Sequence, residues 1–142
     1  MRVMVIVKAN KDSEAGVPPK HQLWEEMGKF NEQLIKAGVL LVAEGLHASS
    51  KGKRARFSGA RLTVTDGPFA EAKELIAGFQ LWQVRSMEEA LEWVKRFPNS
   101  PEGEFEIEVR QVFELEDLAV ETTPERMKAK ENLRAKTEGK QS

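Results

Sequence analysis

The spacing of apolar residues in the first part of the chain predicts a strand, a helix and a second strand. Residues 3–7 are all apolar, which predicts a strand over residues 1–9 that is covered on both faces. Apolar side chains over residues 20–37 repeat at spacings of three and four, which predicts an amphipathic helix. Gly38 is a favourable residue directly after such a helix, and residues 39–43 predict the second strand.

The middle of the chain predicts a hairpin followed by a longer strand. Residues 48–56 are polar and basic, which predicts an exposed loop. Residues 56–62 carry a turn signal near Gly59, and the residues after this turn alternate apolar and hydroxyl side chains. Residues 75–84 predict a strand in which Gly78 marks a bulge or a close approach between backbones.

The pattern after this strand predicts a second long helix and one more strand. Ser86 and Glu89 fit a capping box that begins the helix, and Pro98 ends it. Residues 105–109 alternate apolar and acidic side chains, which is typical of a strand with one exposed face.

A final helix is predicted to begin at Thr123-Pro124, an N-cap residue followed by proline at the first helical position, and to end near Ala135. It has few large apolar residues, so we expect it to be solvated or docked on a partner. The patterns together divide the chain into an α+β domain over residues 1–118 and a helical tail over residues 119–142.

The order of the predicted elements indicates the fold. Without the hairpin and the tail helix, the order is β-α-β-β-α-β, the ferredoxin-like plan of an antiparallel sheet with two helices on one face. The first two strands are apolar on both faces, so the face opposite the helices needs a cover. We expect a second copy of the chain to provide it, in a symmetric homodimer.

Composition narrows the classes of protein that this chain can belong to. At 142 residues it predicts one main domain, and it contains no Cys, which excludes disulfides, thiol nucleophiles and Cys-based metal sites. The N-terminal apolar run is too short for a signal peptide or a membrane span. The net charge of −1 predicts no nucleic-acid partner. We therefore expect a soluble cytoplasmic protein with no membrane partner.

The chain contains a series of short motifs in this order: Met1 to Val7, Ala37-Gly38-Val39-Leu40, Glu44-Gly45-Leu46, Thr63-Val64-Thr65-Asp66-Gly67-Pro68-Phe69-Ala70-Glu71, Lys73-Glu74, Ala77-Gly78-Phe79, Glu89-Ala90-Leu91-Glu92-Trp93 and Ile107-Glu108-Val109-Arg110. Over about residues 1–115, these motifs and their order resemble the DGPF-domain branch of the YCII-related family. The resemblance implies a dimeric α/β-barrel form of the ferredoxin-like fold. It implies no particular reaction, because most members of this branch have no assigned activity.

The wider YCII-related family implies small-molecule chemistry by a His and an Asp. His21 stands at about the position of that His, after Pro18-Pro19. The region that corresponds to the Asp, residues 98–101, contains no Asp here. The resemblance therefore does not supply an intact His/Asp pair.

Asp66 and His47 are the candidate catalytic residues. Asp66 lies in a turn at a strand end, where it can act as a base at the mouth of a cleft or can cap nearby backbone amides in an Asx-turn. His47 and Glu44 lie at the end of the second strand and form a possible acid/base pair, or simply a polar strand end. If both strands end on the same side, His47 and Asp66 share a pocket.

Other residues are candidates for contacts with a substrate. Glu71 and Lys73 follow the Asp-Gly-Pro-Phe motif and either form ion pairs that fix it or line a site. Trp82 is expected on the dimer-facing side of the sheet, as a pocket wall. The remaining candidates are Glu44, Phe69 and Arg110, and no cofactor or metal is predicted.

Residues 51–56 form a basic cluster, with four Lys or Arg in six positions, that fits either a solvated loop or a phosphate contact. No phosphate-binding glycine motif or nucleophile elbow occurs in the chain.

Two hypotheses about function remain. In the first, a homodimer binds, and transforms, a small organic molecule by cofactor-independent acid/base chemistry. Asp66 is then the base, His47 its proton partner, and Arg110 or Lys73 an anion anchor. In the second, the protein is a non-catalytic binding or regulatory module with a protein partner; the resemblance supports this because genes of the branch often lie beside alternative sigma factors.

Overall fold

A computed structural model describes residues 1–99, 104–118 and 123–139. The chain forms two compact units, Met1–Gln111 and Val112–Ser142. The strands are β1 (Arg2–Lys8), β2 (Leu40–Gly45), β3 (Lys53–Ser58), β4 (Arg61–Asp66), β5 (Ile76–Gln83) and β6 (Ile107–Gln111). The α-helices are α1 (Lys11–Glu14), α2 (His21–Lys36), α3 (Met87–Val94) and α4 (Pro124–Gly139), and short 3-10 helices span Ser49–Lys51, Ala72–Glu74 and Leu115–Leu118.

The main sheet has four strands in the order β2-β5-β1-β6, and every neighbouring pair is antiparallel. Strands β3 and β4 pair only with each other and form a separate hairpin, which we call the β3–β4 hairpin. Without this hairpin and the short helix α1, the first unit has the predicted β-α-β-β-α-β order. The structure thus confirms an α+β fold with an antiparallel sheet and a C-terminal helix.

Helices α2 and α3 cover one face of the sheet, and the hydrophobic core lies beneath them. Trp82 is fully buried, and Phe30 packs edge-on against its ring at a centroid distance of 6.4 Å. The buried residues of this core are Val3, Val5, Phe30, Leu34, Val39, Trp82, Val84, Ala90 and Phe97. The alternation of buried and less buried residues along β5 results from this one-sided cover.

The other face of the sheet, which we call the open face, carries buried and partly buried apolar residues in the middle of its strands. Met4 pairs with Leu81 across β1 and β5, and Ile6 pairs with Phe79. These residues have the opposite orientation to Val3 and Val5, because successive side chains along a strand alternate between faces. Charged residues flank the apolar centre, since Glu44 lies opposite Phe79, Glu108 opposite Ile6 and Arg110 opposite Met4.

Several local expectations are confirmed by the backbone. Ser86 caps α3 and accepts a hydrogen bond from the Glu89 N–H, while the Glu89 carboxylate accepts one from the Arg85 N–H. Gly38 has a φ of 73°, as a residue after a helix C-terminus often does. Gly78 is a point of close approach, because a Cβ there would lie 2.9 Å from the Glu44 carbonyl oxygen.

Two segments contain short elements that the sequence pattern did not predict. Residues 11–14 form helix α1, because the Asn10 side chain accepts a hydrogen bond from the Ser13 N–H and the Ser13 side chain bonds back to Asn10. The predicted loop 48–56 contains a 3-10 helix and the beginning of β3, because the hairpin is longer than its apolar residues indicated. The hairpin strands are exposed on both faces, so β3 has no apolar pattern. Lys53 and Arg54 therefore gave no sign in the sequence that they belong to a strand.

The second unit contains the Leu115–Leu118 3-10 helix and α4, which is longer than predicted. Thr123 accepts a hydrogen bond from the Arg126 N–H and so caps α4. Arg134 forms ion pairs with Glu114 at 3.3 Å and with Glu138 at 3.1 Å. Within the described ranges, no helix is long and apolar enough to cross a membrane.

Candidate functional site

A cleft with a volume of about 430 Å³ lies in the first unit, beside the end of β2 and the start of β5. Its floor and walls include the apolar side chains of Leu46, Leu75 and Ile76. The other lining residues are Glu14, His47, Ala48, Ser49, Lys51, Gly52, Arg54, Phe69 and Glu74. Four separate segments of the chain therefore meet around one cavity.

The Asp-Gly-Pro-Phe motif packs directly on the 3-10 helix that borders the cleft. A Cβ at Gly67 would lie 1.7 Å from the backbone oxygen of Ser49, so only glycine fits at this position. The Gly67 N–H donates to the Gly52 carbonyl at 3.0 Å, and the Phe69 N–H donates to the Ser49 hydroxyl at 3.1 Å. The motif thus fixes the backbone beside the cleft and directs Phe69 into its lining.

Glu14 holds the same 3-10 helix from the opposite side. Its carboxylate accepts a 3.0 Å hydrogen bond from the Ser49 N–H and a 2.5 Å hydrogen bond from the Ser49 hydroxyl. Because the hydroxyl also accepts from Phe69, Ser49 connects Glu14 to the Asp-Gly-Pro-Phe motif. We call these three residues the Glu14–Ser49–Phe69 chain. All of them are partly buried or line the cleft, which strengthens the charged hydrogen bonds among them.

Asp66 forms an ion pair with Lys53, the residue opposite it in the hairpin, at 2.5 Å. Both side chains are largely exposed, at 75% for Asp66 and 70% for Lys53. Asp66 does not line the cleft among the residues that the structure describes. Within the described residues, the Asp66 carboxylate forms the ion pair with Lys53 at the base of the hairpin.

His47 lines the cleft together with Phe69, so the structure brings these two predicted site residues to one cavity. In the described part of the chain, no hydrogen bond or ion pair joins His47 to Glu44 or to Asp66. Glu44 lies on the open face of the sheet, opposite Phe79. His47 therefore lines the cleft without a bond to either predicted carboxylate. The residues on each side of it in the sequence, Leu46 and Ala48, also line the cleft.

Arg54 lies over the ring of Phe69, with its guanidinium carbon 3.9 Å from the ring centroid. This is a cation–π contact, and it places a positive charge in the cleft lining. The contact depends on both the hairpin, which carries Arg54, and the Asp-Gly-Pro-Phe motif, which carries Phe69.

The remaining predicted site residues lie elsewhere. Trp82 belongs to the core under α2 and α3, so the expectation that it lies on the dimer-facing side is wrong; its indole N–H donates to Gln80 at 2.8 Å. Arg110 lies on the open face near Glu108, at 3.9 Å. Glu71 and Lys73 are exposed, and no ion pair joins them to each other or to Glu74 within the described residues.

The family position His21 is also outside the cleft. His21 is exposed at the start of α2 and lies 3.0 Å from Glu25. Of the region corresponding to the family Asp, residues 100 and 101 lie outside the described residues.

Sequence reasoning missed the side chains that hold the cleft together, chiefly Glu14, Ser49 and Arg54. The Asn10 and Ser13 pair, a cap followed three residues later by its partner, was the available signal that Glu14 ends a helix. Nothing in the sequence indicated that Ser49 contacts Phe69, because the two are joined only by tertiary structure. Among the described residues, no group of three or more His, Asp or Glu side chains is arranged to hold a metal.

The fold and the cleft define an antiparallel α+β domain with an inserted hairpin next to a small cavity. Residues 1–116 match the YCII-related domain, and the chain belongs to this family. A similar protein is an uncharacterised protein of Rhizobium meliloti (strain 1021), 29% identical over 89 residues, which are 63% of this chain and 72% of that protein. The family match ends five residues beyond the first structural unit, at position 116.

Proposed function

We propose that this YCII-related protein binds a small organic molecule in the cleft and transforms it by acid/base chemistry without a cofactor. The observation that carries the proposal is the composition of the cleft lining. Apolar walls lie next to His47, Arg54 and Glu74 in a cavity of about 430 Å³. Ligand sites commonly have this volume and this combination of apolar surface with a few polar groups.

The cleft and the neighbouring hairpin suggest roles for three of the predicted site residues. His47 is the proposed proton-transfer group, since an imidazole can accept and donate a proton near neutral pH. Phe69 is the proposed stacking surface. We propose that Asp66 contributes only indirectly, through a weak surface ion pair with Lys53 in the hairpin whose Arg54 lines the cleft.

A thermal-shift screen with a metabolite library tests binding. A ligand at 100 times its dissociation constant is expected to stabilise the protein by about 2.7 kcal/mol. The variant Ala48→Phe places a large ring in the cleft lining and is expected to abolish the shift. The matched control, Ala60→Phe in the exposed hairpin turn, is expected to retain it. Equal shifts in both variants, or no shift with any compound, would contradict the proposal.

Catalysis is tested on the ligand that this screen finds. His47→Gln is expected to leave binding within a few fold while stopping turnover, followed by NMR of the ligand in the presence of the protein. If His47→Gln turns the ligand over at the wild-type rate, the proposed proton-transfer role is wrong.

We further propose that the protein is a homodimer of the DGPF type, working in the cytoplasm, in which a second copy covers the open face. The support is the apolar centre of that face, where partly buried Met4 pairs with Leu81 and buried Ile6 pairs with Phe79. Leu81→Glu is expected to yield a monomer in size-exclusion chromatography with light scattering. Leu91→Glu, on an exposed position of α3, is the control and is expected to leave the dimer intact. A monomeric wild-type protein would contradict this proposal.

A non-catalytic module with a protein partner, of the sigma-factor-linked kind, is the second candidate. The exposed apolar side chains of the second unit, Phe113 at 68% and Leu133 at 66%, support it. A protein partner that is still bound after Asp66→Asn and His47→Ala together, but not after Leu133→Glu, would favour this candidate.

A further inference from the structure

Arg54 lines the cleft and lies over an aromatic ring. Its guanidinium carbon is 3.9 Å from the centroid of the Phe69 ring, and within the described residues it forms no ion pair with any carboxylate. A guanidinium that is stacked through its face keeps the N–H groups at its edge available. Phe69 is in turn fixed by its hydrogen bond to Ser49, so the stacking surface is held by the backbone.

The edge of a guanidinium binds a planar carboxylate through two parallel hydrogen bonds. Arg54 and Lys51 both line the cavity, so both cations are available to a ligand there. Glu14 also lines the cavity, but its carboxylate is already engaged by both polar groups of Ser49.

The net charge of the lining limits the charge of the ligand. The two fixed cations, Lys51 and Arg54, are balanced by the two carboxylates of Glu14 and Glu74. A polyanion such as a nucleotide would meet these carboxylates as well as the cations and would be repelled by them. A ligand with one negative group, bound at Arg54, meets less of this repulsion.

The apolar part of the lining indicates the chemical character of the rest of the ligand. Leu46, Leu75 and Ile76 offer no hydrogen-bonding side chain, so the part of a ligand that lies against them is best apolar. We infer that the cleft binds a small organic monocarboxylate, with its carboxylate on the edge of the Phe69-stacked Arg54 and its apolar body against these three residues. The inference rests on the proposed function of the same cleft and names its ligand class.

Isothermal titration with two matched pairs of probes tests the inference. The acids are benzoate and 4-methylpentanoate, and the controls are the uncharged isosteres benzamide and 4-methylpentanamide. At least one acid is expected to bind at least tenfold more tightly than its amide. Equal binding of acid and amide would overturn the inference yet leave the proposed small-molecule site standing. Binding of none of the four overturns it too, and the metabolite screen then decides the proposed function separately.

Two arginine variants locate the carboxylate. Arg54→Lys keeps the charge but loses the planar fork, and is expected to weaken binding of the acid at least tenfold without changing the unfolding midpoint. Arg56→Lys is the matched control, because Arg56 lies in the same strand but outside the cleft lining, and it is expected to bind as the wild type does. Arg54→Gln repeats the test if the lysine variant unfolds. Wild-type affinity in a folded Arg54 variant would overturn the assignment.

Discussion

The main sheet and the β3–β4 hairpin are both antiparallel, but different interactions hold them in place. Strand β5 buries Gly78, Gln80 and Trp82 under the helices. Every residue of β3 and β4 is exposed, including Phe57 at 73% and Val64 at 56%. The sheet therefore gains its stability from side-chain packing, whereas the hairpin has no core beneath it.

The base of the hairpin compensates for the missing core. A hairpin of two strands is marginally stable on its own in water. Here its end is joined to the rest of the unit by the Gly67–Ser49 contact and by the Glu14–Ser49–Phe69 chain. The comparison indicates that backbone contacts and a few charged hydrogen bonds can position a strand pair that buries almost nothing.

Removing packing from the core is expected to have the largest effect. Trp82→Ala deletes a fully buried ring next to Phe30 and should reduce the free energy of unfolding by about 3–5 kcal/mol. Urea denaturation measures this loss. Trp24→Ala is the control, since Trp24 is 64% exposed on α2, and it should cost far less. Equal losses for the two variants would show that the core does not dominate the stability of the sheet.

A smaller and more local loss is expected at the base of the hairpin. Gly67→Ala forces a methyl group into the Ser49 backbone and should cost about 1–3 kcal/mol, the usual cost of overpacking. Amide hydrogen exchange should quicken at Gly67 and Phe69 while β5 stays protected. Gly28→Ala, inside α2 with open space around it, should instead stabilise the protein by about 0.5–1 kcal/mol. Uniformly faster exchange would mean that hairpin and sheet are one cooperative unit.

The smallest effect is expected for the ion pair on the hairpin surface. Lys53→Ala should change the free energy of unfolding by about 0–1 kcal/mol, because both partners are largely exposed and water screens their attraction. A double-mutant cycle with Asp66→Asn in low and high salt isolates the pair energy. A coupling that salt does not weaken would show that the two side chains interact by more than a screened surface charge pair.

Most of the sheet could be predicted from sequence, because the spacing of its apolar residues indicates which positions are buried. Residues 3–7 are apolar since β1 lies between β5 and β6, and Ser86 with Glu89 begin α3 through local hydrogen bonds. Local chemistry and one-sided burial are both visible in a linear pattern.

The cleft could not be predicted in the same way, because its parts meet only through tertiary contacts. The Asp-Gly-Pro-Phe motif predicted a turn, but the reason for its glycine is the Ser49 backbone, from a distant segment. In the sequence, Arg54 is one of several basic residues, and its contact with the Phe69 ring exists only in the folded structure. Trp82 was assigned to the wrong face because it shares its side of β5 with the polar Gln80, whereas Phe79 and Leu81 lie on the other side.

The position of β1 in the sheet has a consequence for the synthesis of the protein. Strand β1 lies between β5 and β6, whose residues follow it far along the chain. The ribosome therefore completes β1 long before either neighbour exists. One edge of β1 remains unpaired until β5 has emerged, and the other edge until β6 has emerged. Such a distant pairing is slow to form. The apolar residues of β1 are consequently exposed to chaperones and to aggregation during this interval, and slower translation lengthens it.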